Sequence, residues 1–125
     1  MGTAKRILIV DDEDGYIGMI KDALKLRGMD VDTANNGVAA GMSLASKVPD
    51  LILMDIHMPG INGLQACDAI RRNPKTKDVP IIVVSALSDD SNAARAQEIG
   101  VQDFLSKPVD MEYLMKRIKE ILEIK

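Results

Sequence analysis

The chain of 125 residues has no tryptophan, one phenylalanine, two tyrosines, one histidine and one cysteine. So few aromatics leave leucine, isoleucine, valine and eight methionines to fill the interior. A single thiol, Cys67, excludes an internal disulfide, and its place among Leu64, Ala66 and Ile70 in a helical pattern reads as core packing. One histidine and one cysteine cannot build a zinc site. Basic residues are not in excess either: the net charge is -3, with lysine and arginine scattered, which argues against direct nucleic-acid binding. No apolar run approaches the roughly 18 residues of a membrane span, and the amino terminus leads straight into a strand pattern rather than a signal-peptide core. A soluble, cytoplasmic protein without membrane insertion is expected. With 46% hydrophobic and 28% charged residues, the composition suits one globular domain, taken here as residues 1–125.

What the chain does have is an alternation repeated five times. Short apolar runs, Arg6 to Val10, Asp30 to Ala34, Asp50 to Met54, Pro80 to Ser85 and Val101 to Leu105, are separated by segments of helical period. The runs ending at Asp11 and Asp55, and Ile81 to Val84, are continuously apolar, as strands covered on both faces are. Asp30 to Ala34 alternates polar and apolar, which predicts an edge. Helices are predicted over Asp14 to Arg27, Asn36 to Ser46, Gly63 to Asn73, Asp90 to Ile99 and Asp110 to Ile124. Gly28 and Gly100 read as stops, Asp14 and Asp110 as caps, and Ile17, Ile20, Ala23, Leu24 and Leu26 as the buried side of the first helix. The helix over Asp90 to Ile99 has few large anchors. Strict alternation implies a parallel sheet with helices on both faces, an α/β doubly wound domain whose ligand site lies at the carboxyl ends of the strands.

Polar residues gather at that edge. Asp11 and Asp12 follow the first strand, Asp55 the third, Ser85 closes the fourth and Lys107 follows the fifth. Three carboxylates are hard oxygen donors suited to Mg2+, and crowding them without a cation would raise the pKa of at least one. An ionised Asp55 is a nucleophile toward phosphorus, with Lys107 as its charge partner and Ser85 as a donor to a phosphoryl oxygen. The product would be an aspartyl phosphate.

In this order and spacing, Asp11-Asp12, Asp55-Ile56-His57-Met58-Pro59-Gly60, Ser85-Ala86 and Lys107-Pro108 resemble the receiver domains of two-component response regulators, over Ile7 to Leu122. The resemblance implies a flavodoxin-like (βα)5 fold with strand order 2-1-3-4-5, and a signalling switch rather than an enzyme acting on other substrates. It implies that Asp55 is the phosphoacceptor. Asp12, Asp55 and the backbone carbonyl of His57 are then direct Mg2+ ligands, with Asp11 acting mainly through water. Ser85 becomes the switch hydroxyl, Lys107 the salt-bridging cation before a commonly cis proline, and Phe104 the aromatic switch residue. His57 and Leu87 occupy positions that influence phosphoryl lifetime, and apolar Leu87 suggests slow self-dephosphorylation. The implied partners are a histidine kinase or histidine phosphotransfer protein and a downstream protein target. Ending at Lys125, the chain reads as a stand-alone regulator or as a receiver from a larger response regulator or hybrid kinase. A haloacid-dehalogenase-type phosphatase would need an aspartate where His57 stands, and an FMN binder would need a phosphate loop where Asp11 to Asp14 stand.

Overall fold

The computed structural model describes residues 4–58, 61–85 and 90–123. Five parallel strands form the main sheet: β1 (Arg6–Val10), β2 (Asp30–Ala34), β3 (Leu51–Asp55), β6 (Ile81–Ser85) and β7 (Asp103–Ser106). A two-stranded antiparallel hairpin, β4 (His57–Met58) and β5 (Ile61–Asn62), is interposed after β3. The sheet runs β2-β1-β3-β6-β7, so the main strands alone are ordered 2-1-3-4-5, as expected. The helices are α1 (Asp14–Leu26), α2 (Gly37–Ser46), α3 (Gly63–Arg72), α4 (Asp90–Ile99) and α5 (Met111–Leu122).

The apolar runs become the central strands because a sheet covered on both faces leaves no side of them in water. Every residue of β3 and β6 is buried, as are four of the five in β1, whereas β2 and β7 are largely half-exposed. The pleat sends alternate side chains to opposite faces. Leu8, Val10, Ile52, Met54, Ile81 and Val83 meet α2, α3 and α4 through Ala40, Leu64, Cys67, Ile70 and Ala96. Ile7, Ile9, Leu51, Leu53 and Ile82 meet α1 and α5 through Ile17, Ile20, Leu24, Leu114, Met115 and Ile118. Neighbouring residues of β7 divide the same way, Phe104 packing on the first cluster and Leu105 on the second.

Several expected ends and one buried position are corrected. The cap of α1 is Glu13, which makes no side-chain cap bond, and Asp14 is already helical. The N–H of Glu13 itself donates to Asp11 Oδ1 at 3.0 Å. Leu26 is 86% exposed because α1 ends there, one residue before the expected Arg27, and Met29 takes the buried place beyond it. Gly28 and Gly100, at φ 78° and 94°, do turn the chain out of α1 and α4. Asp110 caps α5 as expected, its Oδ1 accepting from Tyr113 N–H at 3.2 Å. Asn36 and Asn62 cap α2 and α3, the latter beginning at Gly63 as expected. Predicted Asn73 proves to be a flanking cap rather than a helical residue, and Ile124 lies outside the described residues.

Candidate functional site

Strand register assembles the site. Val10 pairs with Met54, so Asp11 emerges beside Asp55; Asp55 pairs with Val84 and Ser85 with Ser106, which puts Lys107 immediately beyond. The ends of β1 and β3 thus deliver acids, and the end of β7, one strand beyond β6, a cation to one rim, where the sheet's carboxyl ends leave room for a ligand.

Asp11 is 2% exposed and Asp55 3%, so neither carboxylate is solvated as a surface acid would be. Each is paired instead. Lys107 Nζ lies 3.0 Å from Asp11 Oδ2, 3.4 Å from Asp55 Oδ2 and 2.8 Å from Glu13 Oε1. The other Asp55 oxygen, Oδ1, accepts from the backbone N–H of His57 at 3.0 Å. Burial raises the Asp11 pKa, and the Glu13 N–H and Lys107 only partly oppose it. Burial also works against the charge of Lys107, but hydrogen bonds to Glu13 and Asp11 and the field of Asp55 outweigh it, so its pKa is raised. The acids around it thus hold the ammonium in place and favour its charged form.

Carboxylate oxygens of Asp11, Asp12, Glu13 and Asp55 all lie within 4.8 Å of one another, with Asp12 and Glu13 open to solvent. Four acids against one ammonium leave the cluster short of positive charge. An all-oxygen donor set with exposed members fits a hard divalent ion that keeps water ligands, as Mg2+ does.

The sequence-derived site is thus largely brought together. Asp11, Asp12, Asp55 and Lys107 converge, and Ser85, fully buried at the end of β6, accepts Lys107 N–H on its carbonyl at 2.7 Å. The Lys107–Pro108 peptide is cis, as the resemblance implied. Phe104 stands in β7, half-buried against the α2–α4 side of the core. The side chain of His57 is exposed, and it is its N–H that touches Asp55. Leu87, Ala86, Pro59 and Gly60 lie outside the described residues.

Three positions were missed. Glu13, one acid among several where α1 begins, makes the shortest ion pair with Lys107. Tyr16, one of the two tyrosines, lies with its ring centroid 4.6 Å from Lys107 Nζ. Gly63 packs where a Cβ would meet Ile56 Cα, with Ile56 Cγ2 at 2.8 Å and Asp55 O at 2.9 Å, so only glycine lets α3 start this close to β3. Its sequence signal was its place three residues after Pro59-Gly60.

A family model for the response regulator receiver domain matches residues 7–119. The chain belongs to this family. Protein PilH of Pseudomonas aeruginosa is 38% identical over 118 residues, a match covering 94% of this chain and 97% of PilH. Response regulator PleD of Caulobacter vibrioides is 32% identical over 120 residues, 96% of this chain but only 26% of PleD. The phosphate regulon transcriptional regulatory protein PhoB of Rhizobium meliloti is 32% identical, over 94% of this chain and 52% of PhoB. The receiver thus spans a quarter to a half of some relatives and nearly all of another. Among solved structures, a putative response regulator from Chloroflexus aurantiacus superimposes with a TM-score of 0.90 at 34% identity, covering 97% of this chain and 99% of that one. A CheY-like receiver domain protein from Methanospirillum hungatei gives 0.90 at 26% identity, covering 97% and 95%. Receiver domains are signalling domains of two-component systems that interact with histidine kinases and downstream effectors, and they typically bind Mg2+ at an acidic pocket. No helix among the described residues is long and apolar enough to cross a membrane.

Proposed function

We propose that this receiver is a phosphorylation-operated switch whose acceptor is Asp55. The carrying observation is a carboxylate 3% exposed, with one oxygen on a backbone N–H and the other beside a lysine that is itself enclosed by acids. An Asp55 oxygen attacks the phosphorus of a phosphohistidine on a histidine kinase or phosphotransfer protein. The P–N bond breaks with its electron pair leaving on the imidazole nitrogen, and an acyl phosphate forms. Asp11, Asp12, Asp55 and the carbonyl of His57 would hold Mg2+, which when bound offsets negative charge on the transferring group. Lys107 neutralises the carboxylate before transfer and pairs with the phosphoryl oxygens after it. Ser85 donates its hydroxyl to one of them, drawing the end of β6 inward.

That displacement makes room for Phe104 to turn from its half-buried place, remodelling the face of α4, β7 and α5, where a downstream protein binds. Phenylalanine fills the space without a hydroxyl, so the inward state gains packing but no hydrogen bond from this ring. The chain works alone, as its length relative to PilH suggests, or within a longer regulator, as its share of PleD and PhoB suggests.

The test is intact-mass analysis after incubation with acetyl phosphate and Mg2+. Wild type should gain one phosphoryl mass and Asp55→Asn none; mass added to both, or to neither, rejects Asp55 as acceptor. Leu87 is proposed to shield the phosphoryl group from water, and His57 to do likewise or to position a water. Leu87→Glu should shorten its half-life, and a half-life lengthened by that change rejects the shielding role.

A further inference from the structure

Lys107 is held from two directions. On one side are the carboxylates of Asp11, Glu13 and Asp55; on another is the face of Tyr16, with its centroid 4.6 Å from Nζ. Tyr16 lies in the first turn of α1 and packs against the α1–α5 side of the core, next to buried Ile17 and one turn from buried Ile20. Its ring is therefore anchored by the helix. The lysine side chain is only 11% exposed, so the ring faces a cation that has lost much of its water, where attraction to an aromatic face is strongest.

The hydroxyl sharpens the point. Tyr16 Oη is buried and has no hydrogen-bond partner among the described residues. A buried phenol without a partner is unfavourable, and turning the ring to wet it would take the face away from Lys107. The ring's place is thus one that serves the cation and not the hydroxyl.

We propose that Tyr16 is a positioning residue for phosphoryl transfer: its aromatic face holds the Lys107 ammonium over Asp55, and its hydroxyl takes no part. Without the ring, a flexible four-carbon stem is steered by Glu13 and Asp11 alone and swings toward solvent-exposed Glu13. The ammonium then spends less time beside Asp55. This rests on Asp55 as acceptor, so one readout must be independent of phosphorylation.

That readout is the NMR spectrum of the unphosphorylated protein. A ring face over Nζ shifts the Lys107 side-chain protons upfield; the shift should survive Tyr16→Phe and vanish in Tyr16→Leu, and its absence in wild type overturns the contact whatever Asp55 does. The kinetic readout is the acetyl phosphate reaction. Tyr16→Leu should lower its rate roughly threefold to tenfold, Tyr16→Phe should restore it, and trifluorophenylalanine in place of Tyr16, which keeps the shape but drains the ring face of negative charge, should behave like leucine. In a Lys107→Met background the leucine change should have little further effect. A fluorinated ring as effective as phenylalanine, or an undiminished leucine effect in the Lys107→Met protein, would reduce Tyr16 to packing and overturn the proposal. No phosphorylation of wild type, with the ring shift present, would reject the acceptor assignment while leaving the contact standing.

Discussion

Cys67 sits on the inner side of α3 with no exposed surface, and burial pushes its thiol up to about 12, opposed only by Arg71. The folded value lies above the reference of 9.0, so the stability this group contributes is complete below pH 9 and is lost as pH rises from there toward 12. Above pH 9 wild type should lose about 1.4 kcal/mol per pH unit more than Cys67→Ala in urea unfolding. Tyr16, also pushed up to about 12 by burial, affects both proteins equally and drops out of the comparison. Equal pH slopes for the two proteins would contradict the burial argument. Glu13 gives a second test at this scale. Glu13→Gln removes one of the four acids of the cluster, so calorimetric titration should show Mg2+ affinity falling by roughly twofold to tenfold. Cys67 was readable in the sequence because apolar neighbours at helical spacing define its surroundings. Glu13 was not: an acid beside other acids at a helix start is usually solvated, and its reach to Lys107 depends on a pairing 94 residues away in the chain.

Among elements, α3 is fixed at both ends. At its start Gly63 lies against Ile56, so Gly63→Ala forces the Asp55–Ile56 backbone to move; a loss of about 1–3 kcal/mol is expected in chemical denaturation, with slower phosphorylation by acetyl phosphate. At its end Arg71 reaches the carbonyls of Gly100, Val79 and Lys77 at 3.0, 2.6 and 3.2 Å and Gln102 Oε1 at 3.2 Å. One planar guanidinium thereby joins α3, the entry to β6 and the end of α4. Arg71→Ala should cost about 2–3 kcal/mol, and Arg71→Lys should recover little of it, because an ammonium cannot present the same fork. Full recovery by lysine would show that charge alone matters. The five main strands and five helices were legible because short apolar runs, continuous in the central strands and alternating only in Asp30 to Ala34, are separated by segments of 3.6-residue period. The β4–β5 hairpin was not, since two-residue strands carry no period, and neither was the Arg71 clamp, which joins backbone groups that sequence does not distinguish.

For the molecule as a whole, the topology follows from strict alternation and the site from the strand ends that topology brings together. The legible part of the site was therefore the part supplied by strand termini, Asp11, Asp12, Asp55, Ser85 and Lys107, and the hidden part came from the starts of α1 and α3, at Glu13, Tyr16 and Gly63. Because the acid cluster is assembled only in the folded chain, Mg2+ should stabilise the fold. At ten times its dissociation constant the gain is about 1.4 kcal/mol, visible as a higher melting temperature that sodium chloride of equal ionic strength does not reproduce. Asp12→Asn should shrink that gain at fixed Mg2+, and an unchanged gain would place the ion elsewhere.

The shortage of aromatic residues has a practical side. At the long-wavelength end of the protein ultraviolet, beyond the weak band of the single phenylalanine, absorption and emission come from two phenols, since the chain has no tryptophan. One, Tyr16, lies against the Lys107 ammonium at the rim, and the other, Tyr113, is hydrogen-bonded to Asp103 at 3.0 Å on the surface of α5. The protein carries its own pair of optical labels, one at the acid cluster and one on the flank assigned to a partner, so a Tyr113→Phe variant would report on the rim alone without any attached dye.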